Sequence, residues 1–246
     1  VPMLPEHLCN GICSLRPNEE KLAYSCIFEM DDNANIINHR IRKTVIKSDR
    51  RFTYEEAQEI IETGKGDYAE EVLTLDRLAK ALRKRRFEHG SVNFDRFEVR
   101  FEIDETGHPI SVYFKVSKDA NKLVEEFMLL ANKQVATDIG NPGGRKKAKP
   151  FVYRIHDNPD PDRMTNFAEI ANRFGYKVRT TGKRTDINNS LNKMLSSVKG
   201  KPEENLLSIL AIRSMSKAVY STVNVGHYGL AFDYYTPVSY THLRAH

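Results

Sequence analysis

Toward its end the chain reads Leu210-Ala-Ile-Arg-Ser-Met-Ser-Lys-Ala-Val-Tyr220 and then, after a short gap, Gly226-His-Tyr-Gly-Leu-Ala-Phe-Asp-Tyr-Tyr-Thr236. The first segment continues a helical pattern that predicts a helix from about Glu203 to Val219. In the second segment His227 lies between two glycines, a setting that favours a structural role over proton transfer. We therefore do not predict a catalytic role for this histidine.

The size and composition of the chain indicate an ordinary globular protein. Its 246 residues are enough for one domain or for part of a larger one, and 40% are hydrophobic while 29% are charged. No stretch of 18 uncharged apolar residues is present, so no membrane-spanning helix is predicted. No basic segment followed by an apolar one begins the sequence, so no signal peptide is predicted either.

The three cysteines, Cys9, Cys13 and Cys26, give an odd number with no second pair. The spacing of Cys9 and Cys13 is compatible with half of a zinc site, but no further Cys or suitably spaced His completes it. Buried, reduced thiols are the favoured interpretation, which points to the reducing cytoplasm.

Apolar periodicity predicts a mixed α/β fold, with a mixed sheet and surrounding helices, and without regular βαβ alternation. Alternation predicts a strand over 22–30, a second over 36–45, and a hairpin with arms at 97–103 and 110–116. Helical spacing and end signals predict helices over 53–64, 68–89, 119–138, 160–174, 186–198 and 203–219. A short strand is expected near 151–155.

The positive charge is clustered, although the net charge is only +5. The clusters are Arg40 to Arg51, Arg83 to Arg86, Arg145 to Lys149, and Lys177 to Arg184. Each cluster alone is most simply a solvated surface, and the Arg83 to Arg86 run also complements the dipole of the helix that it ends. Several clusters together leave an anionic partner as an equal alternative.

The two segments quoted first resemble the core of the ribonuclease II/ribonuclease R (RNB) family, and the ribonuclease R branch fits better. Further motifs follow in family order: Leu4-Pro5 with Cys9-Asn-Gly-Ile-Cys-Ser-Leu-x-Pro17, Ser48-Asp-Arg-Arg-Phe-Thr-Tyr54, Leu82-Arg-Lys-Arg-Arg86, Asn93-Phe94, Leu123-Val-Glu-Glu-Phe-Met-Leu-Leu-Ala-Asn132 and Arg154-Ile-His-Asp157. The resemblance covers residues 1–236 and implies the central part of an RNB-type catalytic domain.

The resemblance implies a hydrolytic 3′→5′ exoribonuclease that degrades single-stranded RNA to nucleoside 5′-monophosphates. It also implies Mg²⁺, which several carboxylates would hold beside the scissile phosphate. The family's Asp-x5-Asp-x-Asp-Asp cluster is not found in this sequence, and Asp31-Asp32 is rejected as a substitute because it lacks the other two acids. No catalytic residue and no metal ligand is therefore assigned, and we expect the chain alone to be inactive.

Three RNA-binding residues carry over from the resemblance. Tyr54 matches a tyrosine near the terminal nucleotides, and Phe94 matches a phenylalanine that clamps stacked bases. Glu125 matches a glutamate that accepts hydrogen bonds from a terminal nucleotide, with Glu126 as the alternative if the register differs by one. Packing within the fold remains an alternative role for both aromatic residues, and a solvated edge for the acidic pair.

After Thr236 the resemblance fails, because Pro237-Val-Ser-Tyr-Thr-His-Leu-Arg-Ala-His246 stands where the family has Ser-Pro-Ile-Arg-Arg. Residues 237–246 are therefore interpreted as a non-native tail. The family implies a monomer without membrane attachment. The alternative function is a non-catalytic RNA-binding or partner-binding module with the same fold.

Overall fold

The computed structural model describes residues 5–93, 98–143 and 147–237, and it describes only the backbone at 98, 100, 114 and 115. Helices and strands are interspersed along the chain, so the predicted mixed α/β class is confirmed. Residues 238–246, most of the predicted tail, lie outside the described residues. Within the described ranges no helix is both long enough and apolar enough to cross a lipid bilayer.

The first half of the chain contains two hairpins and three helices, all of the predicted type. In chain order these are β1 (Glu20–Met30), β2 (Ile36–Lys47), α1 (Tyr54–Thr63), α2 (Ala69–Glu88), β3 (Glu98–Ile103), β4 (Pro109–Lys115) and α3 (Asp119–Gly140). A single π-helical turn, Leu8–Ile12, precedes them. The three helices pack on one another, and the β1–β2 hairpin is bonded to α2 and α3 near its turn.

The β1–β2 hairpin owes its register to alternation and to a polar turn. Tyr24 lies opposite Lys43, and Phe28 lies opposite His39. In the turn, the Asp31 carboxylate accepts hydrogen bonds from the backbone amides of Asn33 (2.9 Å) and Asn35 (2.7 Å). Such Asx turns hold the chain reversal without help from a third strand.

Two local signals in the sequence set the ends of α1 as predicted. The Thr53 hydroxyl accepts a hydrogen bond from the Glu56 amide (3.1 Å), and the Glu56 carboxylate accepts one from the Thr53 amide (2.7 Å). Gly64 ends the helix with a φ of +70°, a conformation that glycine adopts without steric cost. The capping box and the glycine together account for both termini.

Helix α3 buries a face that overlaps only in part with its apolar stripe. The apolar spacing of Leu123, Val124, Phe127, Met128, Ala131, Val135 and Ala136 predicts one broad buried face, but Val124 and Met128 are exposed, and Ala136 alone of the seven is fully buried. The buried side chains of this helix are Ala120, Glu126, Leu129, Leu130, Asn132 and Ala136. The buried face is shifted because it includes the charged residue Glu126, whose partners Arg83 and Arg86 lie on α2. A pattern of apolar residues does not include such a position.

The second half of the chain is mainly helical. It contains β5 (Tyr153–Ile155), α4 (Pro161–Arg173), α5 (Arg184–Val198), α6 (Glu204–Ser214), β6 (Val219–Ser221) and a 3₁₀ turn at Tyr228–Leu230. The predicted end of α6 at Val219 is wrong. The helix stops at Ser214, because Met215 turns extended and Val219 then pairs with Ile155 in a short antiparallel sheet.

The main hydrophobic core lies among α4, α5 and α6. Phe167, Leu191 and Leu207 are almost completely buried there, and Val92 and Tyr228 reach the same cluster from distant parts of the sequence. Burying a side chain of this size stabilises the fold by roughly 1.5–3 kcal/mol. The core therefore joins the C-terminal helices to the segment after α2, through Val92, and to the glycine-bounded turn Gly226–Gly229, through Tyr228.

None of the three cysteines, all of which are described, is in a disulfide, and they are not all buried. Cys13 is exposed, while Cys9 and Cys26 are half-buried. The prediction of buried thiols is therefore wrong for Cys13, which lies just after the short π-helical turn rather than in a core element.

Candidate nucleic-acid interface

A polar pocket of about 520 Å³ lies between α3 and the facing surfaces of α5 and α6. Its charged and amide-bearing lining residues are Arg83, Asn93, Lys122, Glu125, Asn192, Lys199 and Glu204. We call this cavity the polar pocket. Lysine and arginine suit phosphate oxygens, and carboxylates suit hydroxyl groups, so this lining matches the polar groups of a nucleotide.

Glu125 lies at the rim of the polar pocket, and its neighbour Glu126 lies behind it in the protein interior. The Glu125 side chain is 49% exposed, whereas that of Glu126 is 3% exposed. The sequence-based prediction for Glu125 thus coincides with a carboxylate that a ligand can reach. Glu126 faces away from solvent and is already occupied by arginines, so the solvated-edge interpretation is wrong for this residue.

Two arginines of α2 hold this acidic pair. Arg86 donates from Nε to Glu126 Oε2 (3.2 Å) and from Nη2 to both Glu126 Oε1 and Glu125 Oε1, the latter at 3.3 Å. Arg83 Nη1 lies 3.3 Å from Glu126 Oε1 and 3.6 Å from Glu125 Oε1. Because Arg86 is buried, the interpretation of this arginine run as a solvated surface is wrong for Arg86.

Residues Gly90–Asn93, which follow α2 and its C-cap His89, form a connecting segment that is hydrogen-bonded on several sides. The Gly90 carbonyl accepts from Asn188 Nδ2 (2.7 Å), and the Ser91 carbonyl accepts from Asn192 Nδ2 (2.8 Å). The Asn93 amide donates to Asn192 Oδ1 (2.8 Å). Helix α5 therefore fixes the path of this segment as it enters the polar pocket.

Phe94, the predicted base-stacking residue, lies outside the described residues. Asn93, the residue immediately before it, lines the polar pocket, and Arg83 Nη2 lies 3.4 Å from its side-chain oxygen. The described residue next to position 94 therefore belongs to the same pocket as Glu125.

Tyr54 lies in a different place from Glu125. It is the first residue of α1, is 44% exposed, and lines an apolar cavity of about 620 Å³ on the side of α3 that contacts α1. Phe52 and Tyr68 line the same cavity, with their rings edge to face at 6.4 Å. The Arg50 guanidinium lies 5.0 Å from the centre of the Phe52 ring. Aromatic faces beside a cation suit a nucleobase next to its phosphate.

His227, the histidine between Gly226 and Gly229, makes contacts that stabilise the fold. His227 Nδ1 accepts a hydrogen bond from the Leu230 amide (3.2 Å), and its ring meets that of His156 edge to face at 5.0 Å. Burial, reinforced by the charge of the neighbouring His156, lowers the pKa of His227 to about 4. A neutral ring that caps a turn fits the structural role predicted for this residue.

A third and larger cavity is a groove of about 1150 Å³ that runs along α4 and the end of α6. The positively charged side chains that line it are Arg154, Arg163, Arg213 and Lys217. Arg163 lies 3.8 Å from Asp160, and the Arg154 guanidinium lies 4.7 Å from the centre of the Tyr220 ring. These four cations were not recognised from the sequence, because they are far apart in the chain and form no run.

The clusters that the sequence does show have different locations. Arg40 and Arg42 lie on one face of β2, while Lys43 and Lys47 lie on the other, and all four are exposed. In the cluster near residue 180, Lys177, Arg179 and Lys183 are exposed as well. These residues match the solvated-surface interpretation and also remain available to an anionic partner.

The described part of the chain does not fit a metal centre. No three His, Cys, Asp or Glu side chains of residues 5–93, 98–143 and 147–237 are grouped so as to hold a metal ion. Asp31 is engaged within its own turn, where hydrogen bonds from Asn35 hold the pKa of its carboxyl group below the usual value. Two-metal hydrolysis needs several convergent carboxylates, and these residues do not supply them.

Comparison with known proteins places these features in context. The profile of the RNB domain matches residues 1–240. Ribonuclease R 1 of Lactococcus lactis is 37% identical over 245 residues, covering 96% of this chain and 29% of that protein. Ribonuclease R of Aquifex aeolicus is 36% identical over 239 residues, covering 95% of this chain and 33% of that protein.

Among solved structures, Mycoplasma genitalium RNase R in complex with ribose methylated single-stranded RNA has the same fold, with a TM-score of 0.88 at 24% identity. That similarity covers 99% of this chain and 38% of the other. This chain thus spans only a minor part of the length of each of these relatives.

Proposed function

The chain belongs to the RNB domain family, and we propose that residues 1–236 form part of the catalytic domain of a hydrolytic 3′→5′ exoribonuclease of the ribonuclease R type. The proposed substrate is single-stranded RNA, and the proposed product is a nucleoside 5′-monophosphate. Within that enzyme, this part of the chain binds the RNA strand near its 3′ end.

The observation that carries the proposal is the composition of the polar pocket. Glu125 is a reachable carboxylate that faces a cavity also lined by Glu204 and by the cations Arg83, Lys122 and Lys199. The carboxylate can accept hydrogen bonds from ribose hydroxyl groups, while the cations can bind the neighbouring phosphates. A terminal nucleotide offers both kinds of group within a few ångströms.

Tyr54 and Phe94 are proposed as stacking residues for the bases of the same RNA strand, with Tyr54 in a cavity separate from the polar pocket. Bases in a duplex already stack on one another, so an aromatic side chain gains a base only from an unpaired strand. Tyr54 contributes through the apolar cavity that it shares with Phe52 and Tyr68. These aromatic groups support single-stranded RNA, rather than a duplex, as the ligand.

Mg²⁺ is the proposed cofactor of the whole enzyme, where it would generate the attacking hydroxide and stabilise charge on the scissile phosphate. The carboxylates described here do not form its site. We assign RNA binding to this chain and no catalytic step to its residues. The whole protein is proposed to act as a monomer in the cytoplasm, in keeping with three cysteines that form no disulfide.

The test compares the affinities of the chain for five-nucleotide RNA and DNA of the same sequence, measured by fluorescence anisotropy. Glu125→Ala removes an acceptor for ribose hydroxyls, so the preference for RNA should fall by about tenfold, the equivalent of one charge-assisted hydrogen bond. Glu169→Ala is the matched control, because Glu169 is an exposed glutamate on α4.

Equal binding of RNA and DNA by the unmodified chain would contradict the proposed site. The non-catalytic alternative is tested on the whole protein, by incubating it with labelled single-stranded RNA and Mg²⁺. Binding without release of mononucleotides would favour a binding module over an enzyme.

A further inference from the structure

The guanidinium group of Arg86 contacts three separate side chains in the interior. Its Nε and Nη2 atoms contact Glu126, Nη2 also contacts Glu125, and Nη1 donates to Ser91 Oγ at 2.8 Å. The arginine side chain is 7% exposed. One buried cation on α2 thus joins the acidic pair of α3 to the connecting segment Gly90–Asn93.

Ser91 extends this arrangement to the glycine-bounded turn. Its hydroxyl donates to the Gly229 carbonyl at 3.0 Å, and the Val92 amide donates to the same carbonyl at 2.9 Å. The chain of contacts therefore runs from Glu125 through Arg86 and Ser91 to Gly229. Every link is a hydrogen bond within the described residues, and the two middle groups, Arg86 and Ser91, are buried.

From this network we propose that Arg86 is a positioning residue for the polar pocket, and that Ser91 couples the pocket to the turn around Gly229. The inference rests on the proposed function of the pocket. Arg86 would act through Glu125, whose carboxylate it holds at the pocket rim, and through Ser91, which fixes the connecting segment Gly90–Asn93.

Loss of Arg86 should also affect the neighbouring Arg83. Both arginines contact the buried Glu126 carboxylate, but Arg83 also reaches the side chain of Asn93 in the pocket. Without Arg86, the buried charge of Glu126 would draw Arg83 inward, because an unpaired buried carboxylate is strongly unfavourable. The pocket would then lose one cation from its lining as well as the fixed orientation of Glu125.

Lysine should not replace arginine at this position. The guanidinium group is a planar fork with five donors, and three different partners use its edges here. A lysine ammonium is a compact charge that cannot span Glu126 and Ser91 in the same way. Arg86→Lys therefore keeps the positive charge but loses the planar set of donors. The variant thus distinguishes a role in positioning Glu125 and Ser91 from a role in balancing the charge of Glu126.

The experiment measures three properties of the chain and its Arg86→Lys and Ser91→Ala variants. These are the affinity for five-nucleotide RNA and DNA, the affinity for 30-nucleotide RNA, and hydrogen exchange in peptides that cover 90–93 and 226–230. Arg85→Lys is the matched control, since Arg85 is the adjacent residue of α2 and binds the Asn33–Asn35 turn instead.

For Arg86→Lys we expect the RNA-over-DNA preference to fall by about tenfold, with a smaller loss on the 30-nucleotide RNA, which keeps its many phosphate contacts. For Ser91→Ala we expect faster exchange in both peptides, because the hydroxyl loses its hydrogen bonds with Arg86 and with the Gly229 carbonyl. The short-RNA affinity should fall by only about threefold, since Arg86 keeps its contacts with Glu125 and Glu126. Arg85→Lys should leave the RNA-over-DNA preference unchanged. A purely structural role would weaken short and long RNA alike.

If the unmodified chain binds RNA no better than DNA, the proposed function of the pocket fails and this inference fails with it. If the unmodified chain prefers RNA and Arg86→Lys retains that preference, only the inference is overturned. If Arg86→Lys does not fold, the Ser91→Ala variant provides the test of the inference. Unchanged exchange and unchanged short-RNA affinity in that variant would then overturn the coupling.

Discussion

His39 Nε2 lies 2.8 Å from Asp138 Oδ2, and this contact joins the β1–β2 hairpin to the last turns of α3. Gln134 Nε2 supports it by donating to Asp138 Oδ1 at 2.7 Å. At the end far from its turn the hairpin is open to solvent, with Leu22 at 86% and Tyr24 at 74% exposure. The hairpin is therefore anchored at its turn end and projects away from the helices at the other.

Replacing Asp138 with asparagine should loosen the hairpin while the helices stay folded. The pair is about one-third exposed, so we expect the free energy of unfolding to fall by no more than about 1 kcal/mol. Amide exchange in peptides from 20–47 should accelerate, whereas peptides from α4 to α6 should not change. Glu169→Gln, at an exposed position of α4, is the control.

The acidic pair on α3 offers a direct comparison of a buried charge with an exposed one. Glu126→Gln leaves two arginines facing a neutral amide in the interior, and such a change costs about 3–5 kcal/mol. Glu125→Gln acts at a half-exposed site and should cost no more than about 1 kcal/mol. Urea unfolding of both variants measures the difference, and equal losses would contradict the arrangement described here.

Acid should destabilise the fold through His227. Because burial lowers its pKa to about 4 from an unfolded value near 6.5, the unfolded chain binds the extra proton first as pH falls. The contribution of the neutral ring is complete above about pH 6.5 and is lost progressively toward pH 4, up to about 3 kcal/mol.

The measurement is the melting temperature between pH 5 and 7, a range in which most carboxylates remain ionised. His227→Gln should lower the melting temperature at pH 7 and flatten its dependence on pH. His7→Asn, at an exposed N-terminal position, should leave the slope unchanged. An unaltered slope in the His227 variant would assign the acid sensitivity to other groups.

The stacking assignments predict a loss that depends on RNA length. Tyr54→Ala and Phe94→Ala in the whole enzyme should each weaken retention of short products by about 1–3 kcal/mol, the contribution of one stacked ring. Long RNA should bind nearly as before and lose affinity steeply with salt, because phosphate contacts dominate. The final product should become longer. If both variants trim RNA to the same final length as the unmodified enzyme, the two residues are packing residues instead.

Much of the fold could be predicted because local chemistry decides it. Thr53, Glu56 and Gly64 define α1 within a dozen residues of sequence, and the Asp31 turn joins strands whose alternation is plain. The end of α6 could not be predicted in this way. Val219 leaves the helical pattern because β5, more than sixty residues earlier in the chain, pairs with it.

The candidate site shows the same division. Glu125, Tyr54 and Phe94 were identified through family motifs, but the partners that surround Glu125 were not. Arg83 and Arg86 stand in a conspicuous basic run, and their acidic partners lie about forty residues later. Charge patterns within one helix cannot indicate which side of a run is buried, since the burial is set by a second helix. The α5 asparagines that bind the segment Gly90–Asn93 could not be predicted for the same reason.

Gly229 restricts how this sequence can vary. A β-carbon at position 229 would lie 2.9 Å from Nδ1 of His156, closer than such atoms approach in folded proteins. The Gly229 amide also donates to that nitrogen, at 3.1 Å. An alanine at 229 is therefore compatible only with a smaller residue at 156. Among homologous sequences these two positions should change together or not at all, although more than seventy residues separate them.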